Sequence, residues 1–178
     1  MSRNPEVRLR PIQPGDASLL ALWRSEPSVR RHQPLAPLTP AQLRAEISGR
    51  RHNDLRQGRG DRFDWIVEVG SRPAGWVTLV IHSWEHGLGE CGYALSTPFQ
   101  HRGIMPRALR QLLDELFART DLYRVEARCA VDNLPSQRVL EGLGFAPEGR
   151  LRGYFLLAGK RVDNLLFAVT KDDWTQAG

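Results

Sequence analysis

Apolar residues alternate with arginine over residues 7–12, the two-residue period of a strand. Pro14-Gly15-Asp16 interrupts the pattern, and Asp16 suits the N-cap of a helix. That helix carries Leu19, Leu20 and Trp23 on one stripe and ends near Pro27. The proline-rich stretch 33–38 reads as a loop. Thr39-Pro40-Ala41-Gln42 has capping-box spacing with proline at the first helical position. The helix it opens carries Leu43 and Ile47 and stops near residues 49–51. Residues 52–61, polar and rich in Gly and Arg, are expected to form a mobile loop. Segments 63–69 and 74–81, joined at Gly70-Ser71-Arg72-Pro73, have a hairpin signature.

Further along, 82–89 is a second connection and 90–96 a strand. Leu109, Leu112, Leu113, Leu116 and Phe117 mark one face of a helix over 107–120. Residues 124–131 alternate again, with Val125, Ala127, Cys129 and Val131 on one side. A short helix over 135–143 is capped by Gly144. Strands over 145–157 and 161–169 close the chain around Ala158-Gly159-Lys160. This order predicts an α/β fold: one mixed sheet with helices on both faces, in a single domain spanning 1–178 with its core over about 7–170.

Composition narrows the function classes. The 178 residues are 41% hydrophobic and 25% charged, ordinary for a globular domain with a real core. The longest apolar run, 76–81, is far short of the roughly 18 residues a membrane helix needs. Residues 1–6 lack the apolar centre of a signal peptide. Cys91 and Cys129 have no metal or redox spacing and read as reduced core residues of a cytoplasmic protein. No metal site is expected. The net charge of +5 fits either a solvated surface or attraction to phosphates. Nucleic acid is disfavoured, because the arginines are scattered and no stretch interleaves them with aromatics.

Two motifs carry the chemistry. The first, Phe99-Gln100-His101-Arg102-Gly103-Ile104-Met105-Pro106, joins a strand to a helix. A glycine loop there aims several backbone N–H groups at one point, where the helix dipole favours an anion such as a diphosphate. Gly103 alone also reads as a simple turn glycine. The second is the run from Asp132-Asn133-Leu134-Pro135-Ser136 to Leu143-Gly144-Phe145-Ala146-Pro147-Glu148-Gly149. By itself it is a strand end, a helix and a glycine cap.

Taken together at this spacing, the two motifs resemble the GCN5-related N-acetyltransferase (GNAT) superfamily. Asn133-x-x-Ser136-x-x-Val139-Leu140-Glu141 and Glu90-Cys91-Gly92-Tyr93-Ala94-Leu95 look like its RimJ/RimL branch, which acetylates protein N-termini. The resemblance implies a GNAT fold, with mostly antiparallel N-terminal strands and a splayed parallel pair in the middle. It implies acetyl-CoA as co-substrate, with pantetheine paired to the backbone of Ala94, Leu95 and Ser96 and the diphosphate on amides of His101, Arg102, Gly103, Ile104 and Met105. Gln100, Arg102 and Arg107 would frame the phosphates. Asn133 would hold pantetheine or the helix start, and Arg138 the phosphates or only solvent.

Departures from the family pattern stand out. Met105 replaces a small residue, and Pro106 removes one amide donor. Leu140 stands where much of the superfamily has an acidic tyrosine, which shifts the role of thiolate stabiliser or acid to Ser136, one turn earlier. Glu90 is the leading general base, with His82, His86 and His101 as alternatives. Trp84 and Tyr154 are the acceptor-binding candidates, and Trp23, Trp76 and Phe155 serve either that cleft or the core. The expected reaction is direct acetyl transfer to a primary amine, foremost a protein or peptide α-amine. A small amine and a non-catalytic acyl-CoA-binding module are the alternatives, and a homodimer stays open.

Overall fold

The computed structural model describes residues 6–176. The reading of the extreme N-terminus falls mostly outside them. The chain begins with β1 (Val7–Pro11), followed by α1 (Ala17–Ser25), a one-turn α2 (Pro27–Arg30) and α3 (Pro40–Gly49). A meander of β2 (Arg62–Val69), β3 (Arg72–Ser83) and β4 (Leu88–Leu95) comes next. Then come α4 (Ile104–Arg119), β5 (Arg124–Ala130), α5 (Leu134–Gly142), the hairpin β6 (Ala146–Leu157) and β7 (Lys160–Thr170), and α6 (Lys171–Gln176). The strands form one sheet in the order β1-β2-β3-β4-β5-β7-β6. Every neighbouring pair is antiparallel except β4–β5.

Strand alternation sends adjacent residues into two different cores. Ile66 and Trp76 face α1 and α3, where they pack with Trp23, Leu43 and Ala94. Their neighbours Val67 and Val77 face α4, among Leu109, Leu112, Leu113, Leu116 and Phe117. The five predicted α4 positions are all buried, as are Cys91 and Cys129. The expected two-sided α/β architecture is therefore present, with α1 and α3 on one face and α4 on the other.

Local details differ where tertiary contacts outweigh local signals. Asp16 stands at the N-cap of α1 as expected, but its carboxylate makes no capping bond; it accepts from Gln13 N at 2.8 Å and from Arg10 Nη1 and Nη2 at 2.7 and 2.8 Å. Thr39 and Gln42 do form the capping box. Residues 52–61 make several hydrogen bonds that the sequence did not foretell. Asp54 Oδ1 accepts from Arg56 N and Gln57 N, Asn53 Nδ2 donates to Arg62 O, and Trp84 Nε1 donates to Gly60 O. Helix α4 starts one turn before the apolar stripe does, at Ile104, because Pro106 fits the first turn where no intrahelical N–H is needed. The six-residue α6 had no periodicity long enough to read.

Candidate active site

Strands β4 and β5 pair only over Leu88–Arg124, Gly89–Val125 and Glu90–Glu126. Beyond Glu90 they separate, while β4 stays zipped to β3 as far as Leu95 and β5 stays zipped to β7 as far as Ala130. The result is a fork in the sheet. A cavity of about 870 Å³ fills it, bounded by β4, the 100–106 loop, β5, the start of α5 and residues 28–35.

At one end of the cavity lies the glycine loop. His101 (φ 59°) and Gly103 (φ 64°) are both left-handed, which turns successive amides toward one concavity. No acceptor among the described residues takes the N–H of His101, Arg102 or Gly103. The first amides of α4 are likewise without intrahelical partners. These groups fit the diphosphate of a CoA. Met105, a departure from the family pattern, is 5% exposed and packed into the core, so its side chain does not block the concavity. Arg102 and Arg138 are exposed on the cavity wall.

Of the expected Ala94, Leu95 and Ser96, only Leu95 turns its backbone to the fork. Ser96 N and Oγ both donate to Ala74 O, at 2.9 and 3.1 Å, so Ser96 faces β3, and Ala94 shares its side by alternation. The carbonyls that face the fork belong to Tyr93 and Leu95. Gln33 Nε2 donates to Tyr93 O at 2.8 Å, and Gln100 Nε2 donates to Leu95 O at 2.9 Å. Gln100 therefore turns to the strand rather than framing the phosphate loop. Both glutamine amides stand where an added strand would make its hydrogen bonds.

Ser136 sits in the first turn of α5, whose N-cap Asn133 accepts from Ser136 N through Oδ1 at 3.3 Å. The Ser136 Oγ lies 2.8 Å from the hydroxyl of Tyr93. Burial pushes the Tyr93 phenol up from its usual range. The cavity wall here also carries Cys91 and Cys129, whose thiols burial pushes up to about 12 and about 11. Tyr93 escaped the sequence reading. Strand alternation points it to the same face as Cys91, but only the fork brings it to α5. Leu140 is fully buried in the core.

Glu90 stands at the last paired position, at the crotch of the fork. Its Oε2 accepts from Arg128 Nη1 and lies 3.0 Å from His82 Nε2. Its Oε1 makes no hydrogen bond among the described residues. Arg128 also donates to Glu126 Oε2 at 3.1 Å, so this carboxylate belongs to a charged chain across the sheet.

Other candidates fall elsewhere. Trp84 is off the cavity, edge-on to Phe63 at 6.3 Å and bonded to Gly60. Tyr154 is 41% exposed beside Arg128, while its neighbour Phe155 does line the cavity. Trp23 is core and stacks on Trp76, which forms part of the wall. His86 is exposed and away from the cavity; His101 is on it. Among the described residues no cluster of His, Cys, Asp and Glu could hold a metal ion.

The chain as a whole has relatives among known proteins. The family model described as an acetyltransferase (GNAT) domain matches residues 6–146. The chain belongs to the GNAT acetyltransferase family. An uncharacterized N-acetyltransferase of Bacillus licheniformis, p20, is 31% identical over 170 residues, covering 94% of each chain. The ribosomal-protein-S5-alanine acetyltransferase of Vibrio fischeri is 26% identical with a TM-score of 0.83, covering 94% of each chain. The spermidine N-acetyltransferase of Vibrio cholerae, solved with CoA and spermine, has a TM-score of 0.85 at 19% identity and covers 95% of this chain and 98% of its own. The chain is thus an acyl-CoA-dependent N-acetyltransferase, with acetyl-CoA as donor and an amine as acceptor. No helix among the described residues is long and apolar enough to cross a membrane.

Proposed function

We propose that this enzyme acetylates the α-amine of a protein or peptide in the cytoplasm, by direct transfer across the fork. The observation that carries the reading is the pair Tyr93–Ser136, held at 2.8 Å in the throat of the cavity and opposite the carboxylate of Glu90. Bound acetyl-CoA supplies a thioester whose carbonyl the amine attacks. The amides of residues 101–105, with Arg102 and Arg138 beside them, hold the phosphates. Asn133 fixes the start of α5, and its dipole favours the negative sulfur that departs. Ser136 donates a hydrogen bond to that sulfur while its oxygen accepts from Tyr93. The tyrosine thereby takes up part of the work that Leu140 cannot do.

Glu90 Oε1 receives the proton of the attacking amine, directly or through a water. His82, 43% exposed, links Oε2 to solvent and gives that proton a way out. An α-amine, with its ordinary pKa near 8, needs only this modest base. Small amines are the second reading. The fold-level likeness to the spermidine enzyme raises it, and the arginine-rich wall of the cavity weighs against a polycation.

Steady-state transfer, read as free CoA thiol, tests the proposal on a panel of N-terminal peptides, free amino acids and spermidine. Peptide α-amines are expected to have the highest kcat/KM, and peptides already acetylated at the α-amine to be inert. Spermidine as the best acceptor would refute the peptide assignment.

A further inference from the structure

Four buried side-chain nitrogens lack a hydrogen-bond partner among the described residues: Arg24 Nε, His32 Nδ1, Arg128 Nε and Asn164 Nδ2. All four residues line the one cavity in the fork. His32 Nδ1 has an ion-pair contact with Asp132 at 3.3 Å, without hydrogen-bond geometry. The other three are obligate donors with no acceptor at all. Asn164 is 1% exposed. Burying such donors unsatisfied is costly, about 1–3 kcal/mol each, unless a ligand completes them.

These donors share the face opposite the Tyr93–Ser136 pair. Residues paired across strands point the same way, and Arg62, Val80, Glu90 and Glu126 form one row across β2, β3, β4 and β5. With neighbouring strands about 4.8 Å apart, the Cα atoms of Arg62 and Glu90 lie on the order of 10 Å apart. Arg128 and Asn164 fall on the same side, two residues apart in register. Charge along this wall is unequal. Glu90 is matched by Arg128 and His82, and Asp64 by Arg50 and Arg62. Arg24 forms no salt bridge among the described residues, although Glu46 and Asp64 lie near enough to act on its charge; its Nη2 donates to Ala36 O at 3.1 Å. Burial, and then Arg62, pull its pKa down by more than Glu46 and Asp64 push it up, so on balance the wall disfavours that charge.

We infer that the acceptor carries a carboxylate several bonds from its amine, and that Arg24, with Arg62 beside it, binds it while Glu90 faces the nitrogen. This rests on the acyl-transfer reading above and specifies its acceptor. An acidic side chain at the second or third residue of a peptide matches the roughly 10 Å row; the carboxylate of a free amino acid is the other source of the same chemistry. The inference disfavours polyamines, which would bring cations to a wall already rich in arginine.

Two measurements test it. The first compares kcat/KM for Ser-Glu-Ala-amide, Ser-Gln-Ala-amide, Ser-Lys-Ala-amide, free glutamate and spermidine. The Glu peptide is expected to exceed its Gln isostere by about tenfold or more, as a charge-assisted hydrogen bond does. Arg24→Gln is expected to erase that ratio while leaving CoA affinity unchanged, and Arg24→Lys to restore part of it. Free glutamate outrunning the peptide assigns the carboxylate to a small molecule and keeps the anion site. Equal rates for Glu and Gln, or a preference for Lys or spermidine, overturn the inference.

The second measurement needs no turnover. Calorimetry on the CoA-saturated enzyme compares acetyl-Ser-Glu-Ala-amide with its Gln isostere. Tighter binding of the Glu form, lost in Arg24→Gln, upholds the site even if the assigned reaction fails. Equal binding of both forms, or none of either, overturns the site even if transfer to other amines proceeds.

Discussion

Replacing Tyr93 with phenylalanine removes one oxygen from the throat of the fork and nothing from its packing. The structure shows that oxygen 2.8 Å from Ser136 Oγ. Losing one neutral hydrogen bond lowers stability by about 1 kcal/mol, or a Tm drop of about 2–4 °C for a chain of this size. The larger effect is on rate. A hydrogen bond from Ser136 to a departing thiolate is charge-assisted, worth about 1.5–3 kcal/mol, so Ser136→Ala is expected to lower kcat by about 10- to 150-fold. Tyr93→Phe keeps the serine but frees its rotor, and is expected to lower kcat by about 3- to 10-fold. If the tyrosine acts only through the serine, the double variant is no slower than Ser136→Ala alone. The assay is release of CoA thiol at saturating acceptor, alongside KM for acetyl-CoA and thermal melts. Independent, multiplying losses from the two substitutions would refute the linkage. So would an unchanged kcat with KM for acetyl-CoA raised in both variants.

Gly103→Ala places a Cβ in open space but at φ 64°, so the change acts through backbone strain of about 1–2 kcal/mol; CoA affinity by calorimetry is expected to fall about tenfold with little loss of fold. With burial holding Cys91 up to about 12 and Cys129 up to about 11, both thiols stay protonated at pH 8, so a disulfide reagent is expected to label the native protein slowly and the urea-unfolded protein fast. Arg10 beside Asp16 holds that carboxyl below its usual range; its stabilisation is present above the unfolded pKa and lost as pH falls through the folded one. Asp16→Asn is therefore expected to lower Tm at pH 7 and to narrow the gap from wild type below about pH 4 in melts across pH. Leu113→Ala, in the core under α4, is expected to cost about 2–5 kcal/mol in urea unfolding.

The periodic segments were legible because each periodicity is a local consequence of which face is buried. The α4 stripe, the 124–131 alternation and the Thr39 box all needed only neighbours in sequence. The glycine loop was legible for the same reason, since a strand, a left-handed glycine and a helix start are contiguous. The bonds of Asp16, which stands at the N-cap of α1 without capping it, and those of the 52–61 loop were not legible because their partners are remote: β1 supplies Arg10, while β2 and the β3–β4 connection supply Arg62 and Trp84.

What local order determined, then, is the helices, the strands and the amides at the head of α4, since each depends on residues a few places apart. What tertiary structure alone decided is who meets in the fork. Tyr93 and Ser136 are 43 residues apart, Gln33 and Tyr93 60, and Glu90 and Arg128 38. Their meeting follows from β4 and β5 parting after Glu90, and from β7 holding β5 in place on its other edge. Long-range strand pairing of that kind has no signature in any short window of sequence. The cavity that gathers Arg24 of α1, Glu90 of β4 and Arg128 of β5 exists only once that pairing is complete.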